Sequence, residues 1–265
     1  MVWMKLVAVL MLVVIGGSVG RRLGKSRWWW VGFAGSLLLV SLVIVGRRSV
    51  YLSFVWPFSW AISPHVGPLM MGMAIPVMLG VLMVRLPERR KRVMVGILAG
   101  AMLVYFGLLP VVLPLAVRGS LLGTATVVDH DGVCWQQHNY SCGPAAAVTC
   151  LRMLGVEGQE GLIGALAETA PTLGTDGQML AAAVEKLYGG KGVQCTYRYV
   201  SRIEELRTPA VAAIQSPKHG GHYVAVLKVE DNAVIVGDPI NGKERWGRQE
   251  FLDQWRGAAV EILPP

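Results

Sequence analysis

The sequence predicts a chain in two parts: an N-terminal α-helical membrane region of about four spans, then a C-terminal α+β domain. Three observations predict it. Hydrophobic residues make up 53% of the 265 residues, charged residues only 16%, and mean hydropathy is +0.48. That balance excludes a disordered chain and an ordinary soluble domain. The formal charge of +8 divides unevenly: residues 1–118 hold 13 Lys/Arg and one acid, Glu88, for +12, whereas residues 119–265 come to −4. The long apolar stretches all lie in the basic part, so the excess charge reads as topogenic and not as a nucleic-acid surface.

Four apolar stretches cover residues 1–20 (broken only by Lys5), 28–45, 68–84 and 93–117. A span needs about 20 apolar residues and tolerates roughly 17. With four spans, loops 21–27 and 85–92 share one side and hold nine Lys/Arg; Lys5, Arg47, Arg48 and Arg118 lie on the other. The positive-inside rule then predicts a multi-pass protein of the plasma (inner) membrane whose soluble domain is extracytoplasmic. Residues 1–20 also have features of a signal peptide, although four basic residues follow them. Residues 51–66 are uncharged and aromatic but contain Pro57 and Pro64, which predicts an interfacial or re-entrant segment. As a fifth span, that segment would move the domain to the cytoplasm. Gly16 and Gly20, like Gly96 and Gly100, have the GxxxG spacing that permits close helix packing. No acid lies inside any span, which argues against a proton-coupled transporter or channel.

The second part, residues 119–265, becomes globular from Thr124 onward. The segment 133–140 is polar and loop-like. The Ala-rich run 143–154 is a predicted helix with Pro144 in its first turn and Gly155 as its stop. Residues 161–168 and 178–187 are further helices, and 203–206 and 250–255 short ones. Strands are expected over 194–200, 210–214, 222–229, 233–236 and 259–263, with Asp231-Asn232 as a hairpin turn. Helices first and antiparallel strands after read as α+β.

Cys142 directly precedes the Ala-rich helix, and a helix N-terminus favours an anion. Gly143 leaves bare backbone beside it for an approaching carbonyl. A sulfur nucleophile requires an imidazole to hold and return its proton, and that imidazole requires an orienting group. His222 opens one strand of the hairpin and Asp238 ends the other. Pairing across the Asp231-Asn232 turn sets residue 222 opposite about residue 240, so Asp238 falls within side-chain reach of His222. An oxyanion requires a donor, and either Gln136 or Gln137 in the preceding loop is placed to serve.

These residues carry a resemblance. Gln136, Cys142-Gly143-Pro144-Ala145, Gly221-His222-Tyr223-Val224 and Asp238-Pro239 resemble the C39 cysteine peptidases, papain-like domains that process double-glycine leader peptides of exported peptides. The likeness covers about residues 126–263, the stretch from Glu250 to Trp255 included. It implies a papain-like fold, with Cys142 as nucleophile, His222 as base and acid, Asp238 as its orienter and Gln136 as oxyanion donor. It further implies a peptide or protein substrate and a separate peptide exporter as partner, with no cofactor, metal or nucleic acid. Familiar members carry the domain ahead of transporter spans and an ATPase, on the cytoplasmic side; here it follows the spans, with no ATPase. Two other readings are a non-catalytic peptide-binding domain assisting an exporter and a transporter with an appended regulatory domain.

Cys150 lies two turns down the helix from Cys142 and is expected in the core. Cys134 and Cys195 lack chemical context and, outside the cytoplasm, would be free to pair. Cys134, His138 and Cys142 are spaced by four but lack a fourth clear ligand. His219 and His222 form HxxH across Gly220-Gly221, a poor setting for a helical metal face.

Overall fold

A computed structural model describes residues 2–217 and 220–264; His219 lies outside them. The chain divides into two compact units, Met1–Leu115 and Ala116–Pro265.

The first unit begins with helices α1 (Val2–Lys25) and α2 (Trp29–Arg48). A 3-10 turn, Tyr51–Phe54, and the one-turn helix α3 (Phe58–Ala61) follow, then α4 (Gly67–Arg85) and α5 (Arg89–Leu103). A π-helical turn, Val104–Leu108, leads from α5 into α6 (Leu109–Leu122). Four helical stretches are long and apolar enough to cross a membrane: Trp3–Lys25, Trp29–Arg47, Gly67–Arg85 and Arg89–Leu122. The proline-bearing segment between α2 and α4 contributes only the two short turns. Small residues let α1 and α4 approach closely: a Cβ on Gly20 would stand 2.3 Å from the Val77 carbonyl oxygen, and one on Gly80 2.8 Å from the Arg21 nitrogen. The Gly16/Gly20 spacing therefore serves contact within the chain. The Arg85 guanidinium donates to the Ser26 carbonyl at 2.8 Å and sits over the Trp29 ring. That contact brings loops 21–27 and 85–92 to one end of the unit.

The second unit starts with two short strands, β1 (Val127–Val128) and β2 (Cys134–Trp135), paired antiparallel. Helices α7 (Cys142–Met153), α8 (Glu160–Leu166) and α9 (Gly177–Tyr188) follow. Then come β3 (Gln194–Tyr199), β4 (Ala210–Ser216), β5 (Gly220–Val229), β6 (Ala233–Asp238) and β7 (Gly242–Gly247). Helix α10 (Arg248–Gln254) and β8 (Trp255–Leu263) close the chain. The sheet runs β3-β8-β4-β5-β6-β7, antiparallel at every pairing.

Side-chain alternation along these strands builds two apolar layers. Val211, Ala225, Val260 and Ile262 face Ala146, Cys150, Leu151, Leu180 and Val184 of α7 and α9. Ala212, Val224, Val226 and Val236 face the opposite way and enclose Phe251 of α10 with Trp246 and Trp255. Helices α7 and α9 on one side of an antiparallel sheet, with the short α10 on the other, make this an α+β domain. Two elements depart from the sequence expectation. Strand β7 alternates charges (Lys243, Glu244, Arg245), so it lacks an apolar period; an edge strand tolerates this, and charge there discourages unwanted pairing. The segment 133–140 contains β2, too short to show a period.

Candidate active site

The start of α7 and the two strands of the β5–β6 hairpin bring Cys142, His222 and Asp238 together. Cys142 is the first residue of α7, so the thiol sits at the positive end of a 12-residue helix. Helix α7 is held in place by its apolar face and by Thr149, whose hydroxyl accepts from the Cys134 N–H at 2.9 Å and bonds the Ala145 carbonyl at 3.2 Å. One side chain thus ties β2, and the loop that follows it, to the helix carrying Cys142.

His222 and Asp238 come from the β5–β6 hairpin. The pairs Lys228↔Ile235 and Val226↔Val236 show a one-residue shift at Leu227, after which Ala225 faces Gly237. Continuing that register sets His222 level with Ile240, as the hairpin arithmetic predicts. Both side chains are 4% exposed, and His222 Nε2 lies 2.8 Å from Asp238 Oδ1. The Asp238 carboxylate also accepts from the Ile240 N–H and from Asn241 Nδ2, each at 2.9 Å. This turn-type bonding fixes the carboxylate before it meets the imidazole. With Nε2 engaged by Asp238, the other ring nitrogen is the one left for sulfur, and the Cys142 side chain lies close enough to the ring to help raise its pKa.

Burial alone would push the His222 pKa down. Hydrogen bonds from Asp238 and Cys142 outweigh it and raise the value from 6.5 to about 9. Asp238 shows the complement: burial raises its pKa, but the His222 bond, the Ile240 N–H and the histidine charge hold it below the usual carboxylate value.

The backbone of Gln136 is tied to the residue after Asp238. Its N–H donates to the Pro239 carbonyl at 3.0 Å, immediately after Asp238. Its Oε1 is buried and has no hydrogen-bond partner among the described residues. The Gln137 amide instead points away, donating to the Trp135 carbonyl at 3.0 Å.

Gly143 departs from expectation. A Cβ there would meet Thr175 at 3.1 Å and Tyr223 at 3.4 Å. The missing side chain lets the first turn of α7 press against those residues; it does not leave an open approach.

The remaining cysteines are free and differ from Cys142 in setting. Burial pushes Cys134 and Cys195 up to about 12 and raises Cys150 further, so all three stay thiols at neutral pH. Cys134 and Cys195 are therefore not joined to each other. His138 Nε2 lies 2.8 Å from the Thr124 hydroxyl and stacks on Tyr140.

Sequence reasoning missed Glu160, a fully buried acid beneath this loop. Burial raises its pKa against the bonds it accepts from Ser141 and the Gln137 N–H. A lone acid opening a short helix gives no signal in sequence that it is enclosed.

The family described as Peptidase C39 matches residues 131–265. An uncharacterized protein of Methanothermobacter marburgensis is 35% identical over 145 residues, covering 54% of this chain and 92% of its own. A "probable functional amyloid protease FapD" of Pseudomonas aeruginosa is 25% identical over 133 residues, 48% of this chain and 58% of its own. The peptidase domain of Streptococcus ComA, described as a bi-functional ABC transporter involved in quorum sensing, aligns with a TM-score of 0.44 at 22% identity. That alignment covers 54% of this chain and 100% of the ComA domain.

Proposed function

We propose, because the chain belongs to the Peptidase C39 family and brings a thiol, an imidazole and a carboxylate into one hydrogen-bonded line, that it is a membrane-anchored cysteine endopeptidase. Its substrate is a peptide or a leader sequence, cut after a Gly-Gly-type site. The observation that carries the reading is His222, bonded on one side to Asp238 and on the other to Cys142.

The chemistry follows from that line. His222 holds the thiol proton, and the Cys142 sulfur attacks the scissile carbonyl carbon. The carbonyl oxygen becomes an oxyanion beside the Gln136 amide, which donates to it. His222 returns its proton to the leaving amine as the C–N bond breaks, leaving a thioester on Cys142. Water, deprotonated by His222, attacks the thioester; the acid leaves and the thiol is restored. Asp238 keeps the ring oriented and stabilises its cationic form.

The anchor is residues 1–118 and the peptidase domain residues 119–265. The nine Lys/Arg of loops 21–27 and 85–92 hold that end of the anchor in the cytoplasm, so the domain faces out. The contact of Arg85 with Ser26 supports the pairing of those loops. A separate peptide exporter is the natural source of substrate.

Replacing Cys142 with Ala abolishes cleavage and removes thiol alkylation at that position. Cleavage that persists in Cys142→Ala would sink the assignment. A chain that binds peptide tightly yet never cuts it would instead be a non-catalytic binding domain.

A further inference from the structure

Five residues separate Gln136 from Cys142, and both ends of that short segment are fastened to one buried carboxylate oxygen. Glu160 Oε1 accepts from the Gln137 N–H at 3.0 Å and lies 2.6 Å from the Ser141 hydroxyl. Gln137 directly follows Gln136, and Ser141 directly precedes Cys142. Within the segment, the His138 N–H donates to the Ser141 hydroxyl at 3.1 Å.

Ser141 makes the arrangement unusual. It occupies the residue before α7, where a serine hydroxyl ordinarily caps the helix by accepting a backbone N–H. Here it makes no cap bond to α7. Its hydroxyl lies 2.6 Å from Glu160 Oε1 and 2.9 Å from the His138 carbonyl, the shorter contact being the one to the carboxylate.

Glu160 is itself held firmly. Its N–H donates to the Thr126 hydroxyl at 2.9 Å. Its neighbour Gly161 meets the backbone of Leu121 so closely that a Cβ would stand 2.0 Å from the Leu121 oxygen. Its second oxygen, Oε2, is buried and has no hydrogen-bond partner among the described residues. A buried acid with one unpartnered oxygen is a costly way to brace a loop. Apolar packing would hold a loop of no consequence; a carboxylate can take an N–H and an O–H at one point and fix their separation.

We propose that Glu160 is a positioning residue for the oxyanion donor: it locks segment 137–141 so that the Gln136 amide faces the Cys142 sulfur. The inference rests on the peptidase reading and adds a residue to it. Glu160 touches neither the substrate nor the thiol and acts through Gln136.

The test uses the full chain in detergent micelles, as wild type, Glu160→Ala, Glu160→Gln, Ser141→Ala, Gln136→Ala and the Gln136/Glu160 double alanine variant. The probes are a capped peptide ending in glycyl-glycine aldehyde, which forms a hemithioacetal with an oxyanion, and the matching alcohol, which does not. Hydrogen exchange at the Gln137 and His138 amides reports the segment directly. In Glu160→Ala we expect aldehyde affinity to fall on the order of 10- to 100-fold, alcohol affinity to stay within about threefold, and both amides to exchange faster. Glu160→Gln, which keeps the acceptor and the shape, retains near wild-type aldehyde affinity. Adding Glu160→Ala to Gln136→Ala costs little more than Gln136→Ala alone, since one residue acts through the other. Should Glu160→Ala fail to fold, Ser141→Ala, which removes one of the two bonds, must show the same selective loss at smaller size. Equal losses for aldehyde and alcohol, unchanged amide exchange, or independent costs in the double variant would each overturn the proposal. A wild-type chain that forms no aldehyde adduct while the Gln137 amide stays protected would overturn the peptidase reading, and the role of Glu160 in it.

Discussion

His222 is 4% exposed and bonded on both sides, and its charge is the variable that sets how the site responds to pH. Its pKa lies above the ordinary value, so the proton is retained through neutrality and leaves near pH 9. The stabilisation tied to this pair is fully present below pH 6.5, the unfolded value, and is lost as pH rises through about 9. Cleavage should therefore fall on the alkaline side with a midpoint near 9, read from kcat/KM against pH. Asp238→Asn removes a group that raises the His222 value, so that limb moves to lower pH and the rate drops by roughly 10²-fold or more. An alkaline limb that does not move in Asp238→Asn would contradict the role given to the carboxylate. At the same scale, Cys134, Cys150 and Cys195 are held as thiols by burial, so alkylation at neutral pH should concentrate on Cys142.

Among the elements, α10 and β8 determine whether the hairpin carrying His222 and Asp238 has a surface to rest on. Phe251 is fully buried and tilts against Trp246 and Trp255. Phe251→Ala should cost about 3–5 kcal/mol, seen as a lower Tm with Cys142, His222 and Asp238 themselves untouched. Glu261 on β8 is fully buried between Arg198 and Arg207. Removing it as Glu261→Ala takes away charge-assisted bonds but leaves Arg198 and Arg207 34% and 57% exposed and so still hydrated, and should destabilise by about 1–3 kcal/mol. The elements also show what a sequence makes legible. The β5–β6 hairpin was readable because apolar runs flank a two-residue turn, and that reading brought His222 to Asp238 even though a bulge at Leu227 moves the register by one. Strand β7 was not readable, because Lys243, Glu244 and Arg245 give no apolar alternation at a sheet edge. Glu160 was not readable because its burial comes from Leu121 and α7, both outside its own helix. Gly143 was readable as a needed glycine, but the cause lies in Thr175 and Tyr223, more than thirty residues away.

For the whole molecule, the proposed orientation rests on the uneven charge. The apolar part holds +12 and the rest −4, with nine basic residues in loops brought to one end by Arg85. If those loops face the cytoplasm, a membrane-impermeant thiol reagent should label Cys142 in intact cells. Label that enters only after lysis would place the domain inside. The short turns at Tyr51–Phe54 and Phe58–Ala61 matter here, since a fifth crossing between α2 and α4 would reverse the result.

The most direct test of the account is the intact mass of the chain after treatment with a capped glycyl-glycine chloromethyl ketone, from which the thiolate displaces chloride to leave a permanent thioether. Wild type should gain one equivalent, on Cys142; Cys142→Ala should gain none, and His222→Ala should react at least tenfold more slowly. An adduct on Cys134, Cys150 or Cys195, or none in a wild-type chain that still binds the peptide, would contradict a catalytic role for Cys142.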